Sequence, residues 1–162
     1  MNEAKDKKIS LEPLNPEQRV RKSGVPVGLK NIGNSNAINN IACYFNSLLQ
    51  TYFQNVNFVR TILSYQIPEK FKPKSDSDQQ KINQEDNEFK RKQASCRLVE
   101  NLKVLFGNLI ASDRKYIDPT DVISSVMDDY GNELTIGDQK DIGEFNLIFL
   151  SRIDEGIQLA KK

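Results

Sequence analysis

Histidine is absent from this chain of 162 residues, tryptophan is absent too, and cysteine occurs only twice. With no imidazole, the chain holds no histidine base for a Ser or Cys nucleophile. Cys43 and Cys96 form neither a metal-ligand cluster nor a disulfide framework. No metal or cofactor is expected. Charge of one sign is also missing: 23 Lys and Arg face 22 Asp and Glu, for a net charge of +1. Such a balance gives no strong field for nucleic acid or a membrane surface, and neither is expected as a partner. No apolar run is long enough to span a bilayer and no signal-peptide pattern opens the chain. The expected location is therefore the cytoplasm or the nucleus, with reduced thiols. Hydrophobic residues make up 38%, somewhat low for a wholly globular chain, which points to an ordered core with polar tails. The length fits one domain or part of a larger one.

What is present is helical periodicity. Residues 1–24 are rich in Lys, Glu, Asn and Pro and carry no periodicity; they read as a disordered tail or an extended arm. A first helix over Cys43 to Phe53 has apolar residues at spacings of three and four and is expected to be central. Asn55 or Asn57 caps a second helix, about Phe58 to Tyr65, which Pro68 and Pro73 close. Residues 69–86 read as a solvated polar linker. A third helix, about Glu88 to Ala111, carries the stripe Leu98, Leu102, Leu105, Leu109; Cys96 beside it is core or bland surface. Asp118 caps a fourth helix, with Pro119 at its first position and Gly131 at its end. Its expected apolar face is Val122, Ile123, Val126, Met127 and Tyr130. Asp138 caps a fifth, about Gln139 to Leu159, with Ile142, Phe145, Phe149, Ile153 and Ile157 on one face. No segment shows clean period-two alternation. The expected fold class is all-α, with about five helices and no internal repeat.

The candidate site lies where a loop-type run, Gly28 to Asn34, leads towards the first helix. A thiolate in a helix's first turn meets unpaired N–H groups and the positive end of the dipole, so its pKa falls and it becomes a better nucleophile at neutral pH. With Asn40 as the cap, Cys43 is the third residue inside. The alternative is a small buried hydrophobe at the base of an apolar helix.

The wording around Cys43 is more specific. GLKNIGN followed by CYFNSLLQ resembles the cysteine box of the ubiquitin-specific proteases, in which the two pieces are joined by a single residue. SDRKYIDPTDVISSV, residues 112–126, is similar to a stretch of the subgroup of ubiquitin-specific proteases 25 and 28. Gln139-Lys140-Asp141-Ile142-Gly143-Glu144-Phe145 resembles the family's QQDxxEF segment, with lysine for the second glutamine. The resemblance runs in order from about Pro26 to Ala160. It implies the helical thumb of a papain-like α+β cysteine peptidase, occupying residues 25–162, with β-rich fingers and palm supplied by other sequence. It implies ubiquitin and ubiquitinated proteins as partners. Cys43 would be the nucleophile that attacks the carbonyl of ubiquitin's C-terminal glycine, and the side-chain amide of Asn31 would stabilise the oxyanion. Gln139, Asp141, Glu144 and Phe145 would be packing support for the cysteine helix.

The chain departs from the family between Asn34 and Cys43, where it has the eight residues Ser35 to Ala42. A longer loop is thermodynamically cheap, about 0.6 kcal/mol per doubling. Catalytically it matters more, because a misplacement of about 1 Å can cost roughly a hundredfold. The insert bulges away harmlessly, or disables the site and leaves a ubiquitin- or protein-binding pseudo-enzyme, or reflects an error in the gene model. Lacking the histidine that the family keeps far downstream, and its Cys-x-x-Cys zinc pairs, the chain is expected to be the N-terminal portion of a longer catalytic domain, inactive alone.

Overall fold

In the computed structural model, residues 19–30, 39–72, 87–132 and 142–161 are described, with 39–43 and 142 described by their backbone alone. The longest element is α3, Asn87–Ala111, and the core forms along it. Leu98, Leu102, Leu105 and Leu109 recur at three and four, so one stripe turns inward, and all four are buried. Across α3 lies α5, Ile142–Ala160, the helix that packs against it most extensively. Their close approach falls at Gly156, where an added Cβ would come within 2.6 Å of the Ser95 carbonyl oxygen.

The remaining helices close over this pair. Helix α1 spans Asn39–Phe53 and α2 spans Val56–Leu63. Asn55 is the cap of α2, its side-chain oxygen accepting the Phe58 N–H at 3.1 Å. Among the described residues, eight aromatic rings link these four helices. Phe45 meets Phe145 and Phe149 edge-on at centroid distances of 5.6 and 5.5 Å. Tyr52 bridges Phe149 and Phe58, and Phe106 receives Phe53 at 5.4 Å and Phe58 at 6.1 Å. Such pairs add about 0.5–1.5 kcal/mol each to the area they bury.

Two short strands, β1 (Gly28–Leu29) and β2 (Tyr116–Ile117), pair in parallel with Gly28 opposite Tyr116 and Leu29 opposite Ile117. They depart from the all-helical expectation and are too short for any alternation to show. Before β2, Val20 bridges Arg114, and residues 19–21 are paired with the chain at 113–115 through the Arg21 N–H to the Asp113 carbonyl and the Lys115 N–H to the Arg19 carbonyl.

Three boundaries differ from the expectation. Within the described residues helix α1 begins at Asn39, four residues before Cys43, so the expected cap Asn40 lies inside the helix. The first residues of the expected polar linker are ordered: Glu69–Phe71 form a 3-10 turn, and Phe71 is buried with its ring 5.5 Å from that of Phe89. Here one aromatic overrides a polar neighbourhood. The fourth helix, α4, is only Thr120–Ser124. After it, the Asp128 carboxylate accepts the Tyr130 and Asn132 N–H groups, both at 2.8 Å, in place of helical carbonyls. Gly131 adopts φ +78°, and a Cβ there would meet the Asn87 carbonyl oxygen at 2.8 Å. Tyr130, expected on the buried face, is exposed. Within the described residues α5 begins at Ile142, and the expected cap Asp138 lies outside them.

A charged cluster closes the far end of α5. Arg152 is buried, donating to the Met127 carbonyl at 3.2 Å, to Glu155 at 3.2 Å and to Asp129. Glu155 also accepts from Ser95 Oγ at 2.6 Å and from Arg91 at 2.8 Å. Burial alone would raise the Glu155 carboxyl, but the hydrogen bonds from Ser95 and Arg91 and the two guanidinium charges outweigh it and hold the group below the usual carboxylate range.

Candidate active site around the head of helix α1

Cys43 is the fifth residue of α1. In a regular helix the N–H groups left free belong to the residues ahead of this point. The Cys43 N–H therefore lies in the i to i−4 ladder, facing the Asn39 carbonyl. The dipole still favours a thiolate near this end, but more weakly than in the first turn. Cys43 is thus two residues deeper than the sequence placed it, because the last four residues of the insert, Asn39 to Ala42, are helical.

Asn31, Gln139 and Asp141 lie outside the described residues. What the structure does fix is the approach to Asn31. Val27 is buried in the core. The Gly28 N–H donates to the Lys115 carbonyl at 2.9 Å and the Lys30 N–H to the Ile117 carbonyl at 2.8 Å. The Lys30 ammonium pairs with Asp118 at 3.2 Å. The Lys30 carbonyl accepts from Asn46 Nδ2 at 3.0 Å. Asn46 follows Cys43 by one helical turn, about 4.5 Å along the axis, and shares its side of the helix. So the peptide just before Asn31 is fastened to the cysteine's own helix, one turn beyond the cysteine. Along the helix axis about 10 Å separates Asn46 from Asn39, where the described part of α1 begins.

Asp118 anchors this approach from the other side. It caps α4 through the Thr120 N–H at 3.0 Å, one position earlier than a regular cap, with Pro119 in the cap position instead of the first turn. Burial would raise its carboxyl, but the bonds from Thr120 and the Lys30 ammonium hold it below the usual carboxylate range.

Of the four residues assigned as support, two are described with their side chains. Glu144 is exposed on α5. Phe145 is buried, and its ring meets Tyr44 at 6.1 Å and Phe45 at 5.6 Å, the two residues that follow Cys43. Next to it, Asn146 Oδ1 accepts the Tyr52 hydroxyl at 2.6 Å. Helix α5 is thus the floor under α1. Cys96 is fully buried, and burial pushes its thiol up, as it does the neighbouring Tyr65 hydroxyl. It is core, with no approach for a substrate.

Asn46 and Asp118 were missed as parts of the site. The signal for Asn46 was its spacing of three from Cys43. For Asp118 there was only a cap motif, since its partner Lys30 lies 88 residues away.

Comparison with known proteins agrees with this geometry. The model of the family "Ubiquitin carboxyl-terminal hydrolase" matches residues 27–162. The chain is 30% identical over 149 residues to ubiquitin carboxyl-terminal hydrolase 28 of Mus musculus, and 29% identical to that of Homo sapiens; each alignment covers 92% of this chain and 12% of the relative. It is 27% identical over 146 residues to ubiquitin carboxyl-terminal hydrolase 48 of Danio rerio, covering 90% of this chain and 11% of that protein. The chain therefore spans about an eighth of the length of these relatives. A cysteine box that meets α1, an α5 floor beneath it and a family match across nearly the whole described structure lead to one statement: the chain belongs to the ubiquitin carboxyl-terminal hydrolase family, the ubiquitin-specific proteases, in the subgroup of proteases 25 and 28.

Proposed function

We propose that this chain is the nucleophile-bearing thumb of a cysteine-type deubiquitinase, which hydrolyses the peptide or isopeptide bond after ubiquitin's C-terminal glycine. The observation that carries it is the fastening of the Lys30 carbonyl to α1 at 3.0 Å, one turn from Cys43, which keeps the two pieces of the cysteine box together across the insert. In the reaction Cys43 Sγ attacks the glycine carbonyl carbon and the carbonyl oxygen becomes an oxyanion. The Asn31 amide donates to it. Collapse expels the lysine or peptide amine, and water then releases ubiquitin from the thioester. A base takes the thiol proton and returns it to the leaving amine. Histidine is absent from the 162 residues, so the base comes from elsewhere and this chain alone does not turn over substrate. Its partners are ubiquitin and ubiquitinated proteins, and its place of action is the cytoplasm or nucleus.

The test is modification by ubiquitin whose C-terminus ends in an electrophile. Wild type is expected to form one thioether at Cys43 and Cys43→Ala none, while a ubiquitin C-terminal fluorophore amide stays uncleaved by both. Cleavage at rates normal for the family, abolished by Cys43→Ala, would overturn the inactivity. Equal modification of both chains would overturn the nucleophile.

One observation favours a second reading. With α1 running from Asn39, the Cys43 N–H is committed to the helix and is lost to the oxyanion. Losing one oxyanion donor costs about 10²–10³ in rate. A non-catalytic ubiquitin-binding module would keep the scaffold without the chemistry. Titration of labelled ubiquitin that gave saturable binding, with Cys43 inert to the electrophile, would select it.

A further inference from the structure

Helix α2 has two apolar faces, where a surface helix ordinarily has one. Towards the core, Ile62 is buried and the Phe58 ring meets those of Tyr52 and Phe106. On its other side Val56, Val59 and Leu63 recur at three and four and line a groove of about 530 Å³, open along one side. Phe53 at the end of α1 and Ile110 near the end of α3 complete the walls. No described residue covers the groove, and Val56 is 67% and Ile110 52% exposed. Phe53 is ten residues from Cys43, about 15 Å along the axis of α1, so the groove lies away from the site described above.

One charge stands among these apolar side chains. Arg60 lines the groove and is the only charged residue between Lys30 and Glu69. No acid therefore comes from its own helix or from α1, and its guanidinium has no carboxylate partner among the described residues. The Ser64 hydroxyl at the edge already donates to the Thr61 carbonyl at 2.9 Å. Arg60 is thus the polar handle that the groove offers a ligand.

We infer that the groove docks an acidic amphipathic helix of a partner protein, its apolar ridge along Val56, Val59 and Leu63 and a carboxylate on Arg60. A pocket for a small molecule encloses most of its ligand, whereas this trough is open and follows two turns of a helix. Helices that dock in grooves are held through anchors at the same spacings of three and four. The guanidinium sets the sign of the occupant: it binds a carboxylate through charge-assisted hydrogen bonds and repels a cation. A second copy seated groove to groove would bring another Arg60 with no acid beside it, so the partner is a different chain.

The experiment uses the full 162-residue chain and two fluorescein-labelled helical peptides, read by anisotropy. Both carry leucines at i, i+3 and i+7; one has glutamates beside them and the other lysines. The glutamate peptide is expected to bind saturably, about tenfold more tightly than the lysine peptide. Arg60→Gln should bring the two peptides level, and Arg60→Glu should reverse their order. Val56→Ser should weaken the glutamate peptide about tenfold. Val104→Ser, at a valine 55% exposed on α3 outside the groove, should leave it unchanged. Equal affinity of wild type for the two peptides, an order that both Arg60 variants preserve, or equal losses at Val56 and Val104 would overturn the site. Displacement of the peptide by unlabelled ubiquitin would give the groove to ubiquitin, and self-association abolished by Val56→Ser would give it to a second copy; either result overturns the inference. None of these readouts involves Cys43, so the inference and the deubiquitinase reading fail separately.

Discussion

The two ends of the molecule are held in different ways. At the α3–α5 seam, contact is continuous: Phe145, Phe149 and Ile153 are buried, Gly156 lets the backbones touch, and Arg152 and Glu155 satisfy each other's charge. Among the described residues, the strand that leads towards α1 is fastened at Lys30 by discrete ties, to β2, Asp118 and Asn46. The first arrangement tolerates little movement, because close-packed interiors transmit strain. The second allows the segment between its ties to be lengthened, since loop closure depends only weakly on length. The insert sits in the region that can absorb it.

Substitutions should separate these regions. The largest loss is expected from Phe149→Ala, which empties the space among Phe45, Tyr52 and Phe145 and should cost about 3–5 kcal/mol by denaturant unfolding. A cost near that of a surface substitution would mean the seam is not the continuous core described. Glu155→Gln should cost roughly 1.5–3 kcal/mol at neutral pH, as Arg91 and Arg152 lose their shared charged acceptor.

That second effect has a pH dependence of fixed sign. The folded carboxyl of Glu155 is depressed, so its stabilisation is fully present above the ordinary value of 4.5 and is lost as pH falls through the folded value. Wild type and Glu155→Gln are expected to converge in stability on acidification; a gap that widened below that range would reverse the assignment. A smaller change is Tyr52→Phe, about 0.5–1.5 kcal/mol for one hydrogen bond to Asn146. At the tied end, Asp118→Asn should lower stability by under about 1 kcal/mol, since its ion pair is half exposed. A loss as large as that of Phe149→Ala would erase the distinction between the regions.

Much of the scaffold was legible. The stripes on α3 and α5 and the Asn55 cap follow from local spacing and side-chain chemistry, and they stand as read. The fourth helix was overread because Val126, Met127 and Tyr130 keep helical spacing. What stops it is a competition the spacing does not show: Asp128 captures two N–H groups, and Arg152 takes the Met127 carbonyl from 25 residues away. Phe71 was taken into a polar linker because its neighbours are charged, and only Phe89 on α3 gives it a reason to fold. The start of α1 was misplaced because an asparagine suits a cap and is tolerated in a first turn.

By itself the sequence determined the helices, the apolar faces they turn inward, and the cysteine box that marks the family. These are encoded in residues within a few positions of one another, where backbone geometry is the only intermediary. Tertiary structure alone decided the tie between Lys30 and Asn46, the pairing of Lys30 with Asp118, and the shared carboxylate of Glu155. Each joins groups from distant parts of the chain, and a hydrogen bond between distant residues exists only once packing has brought donor and acceptor within about 3 Å.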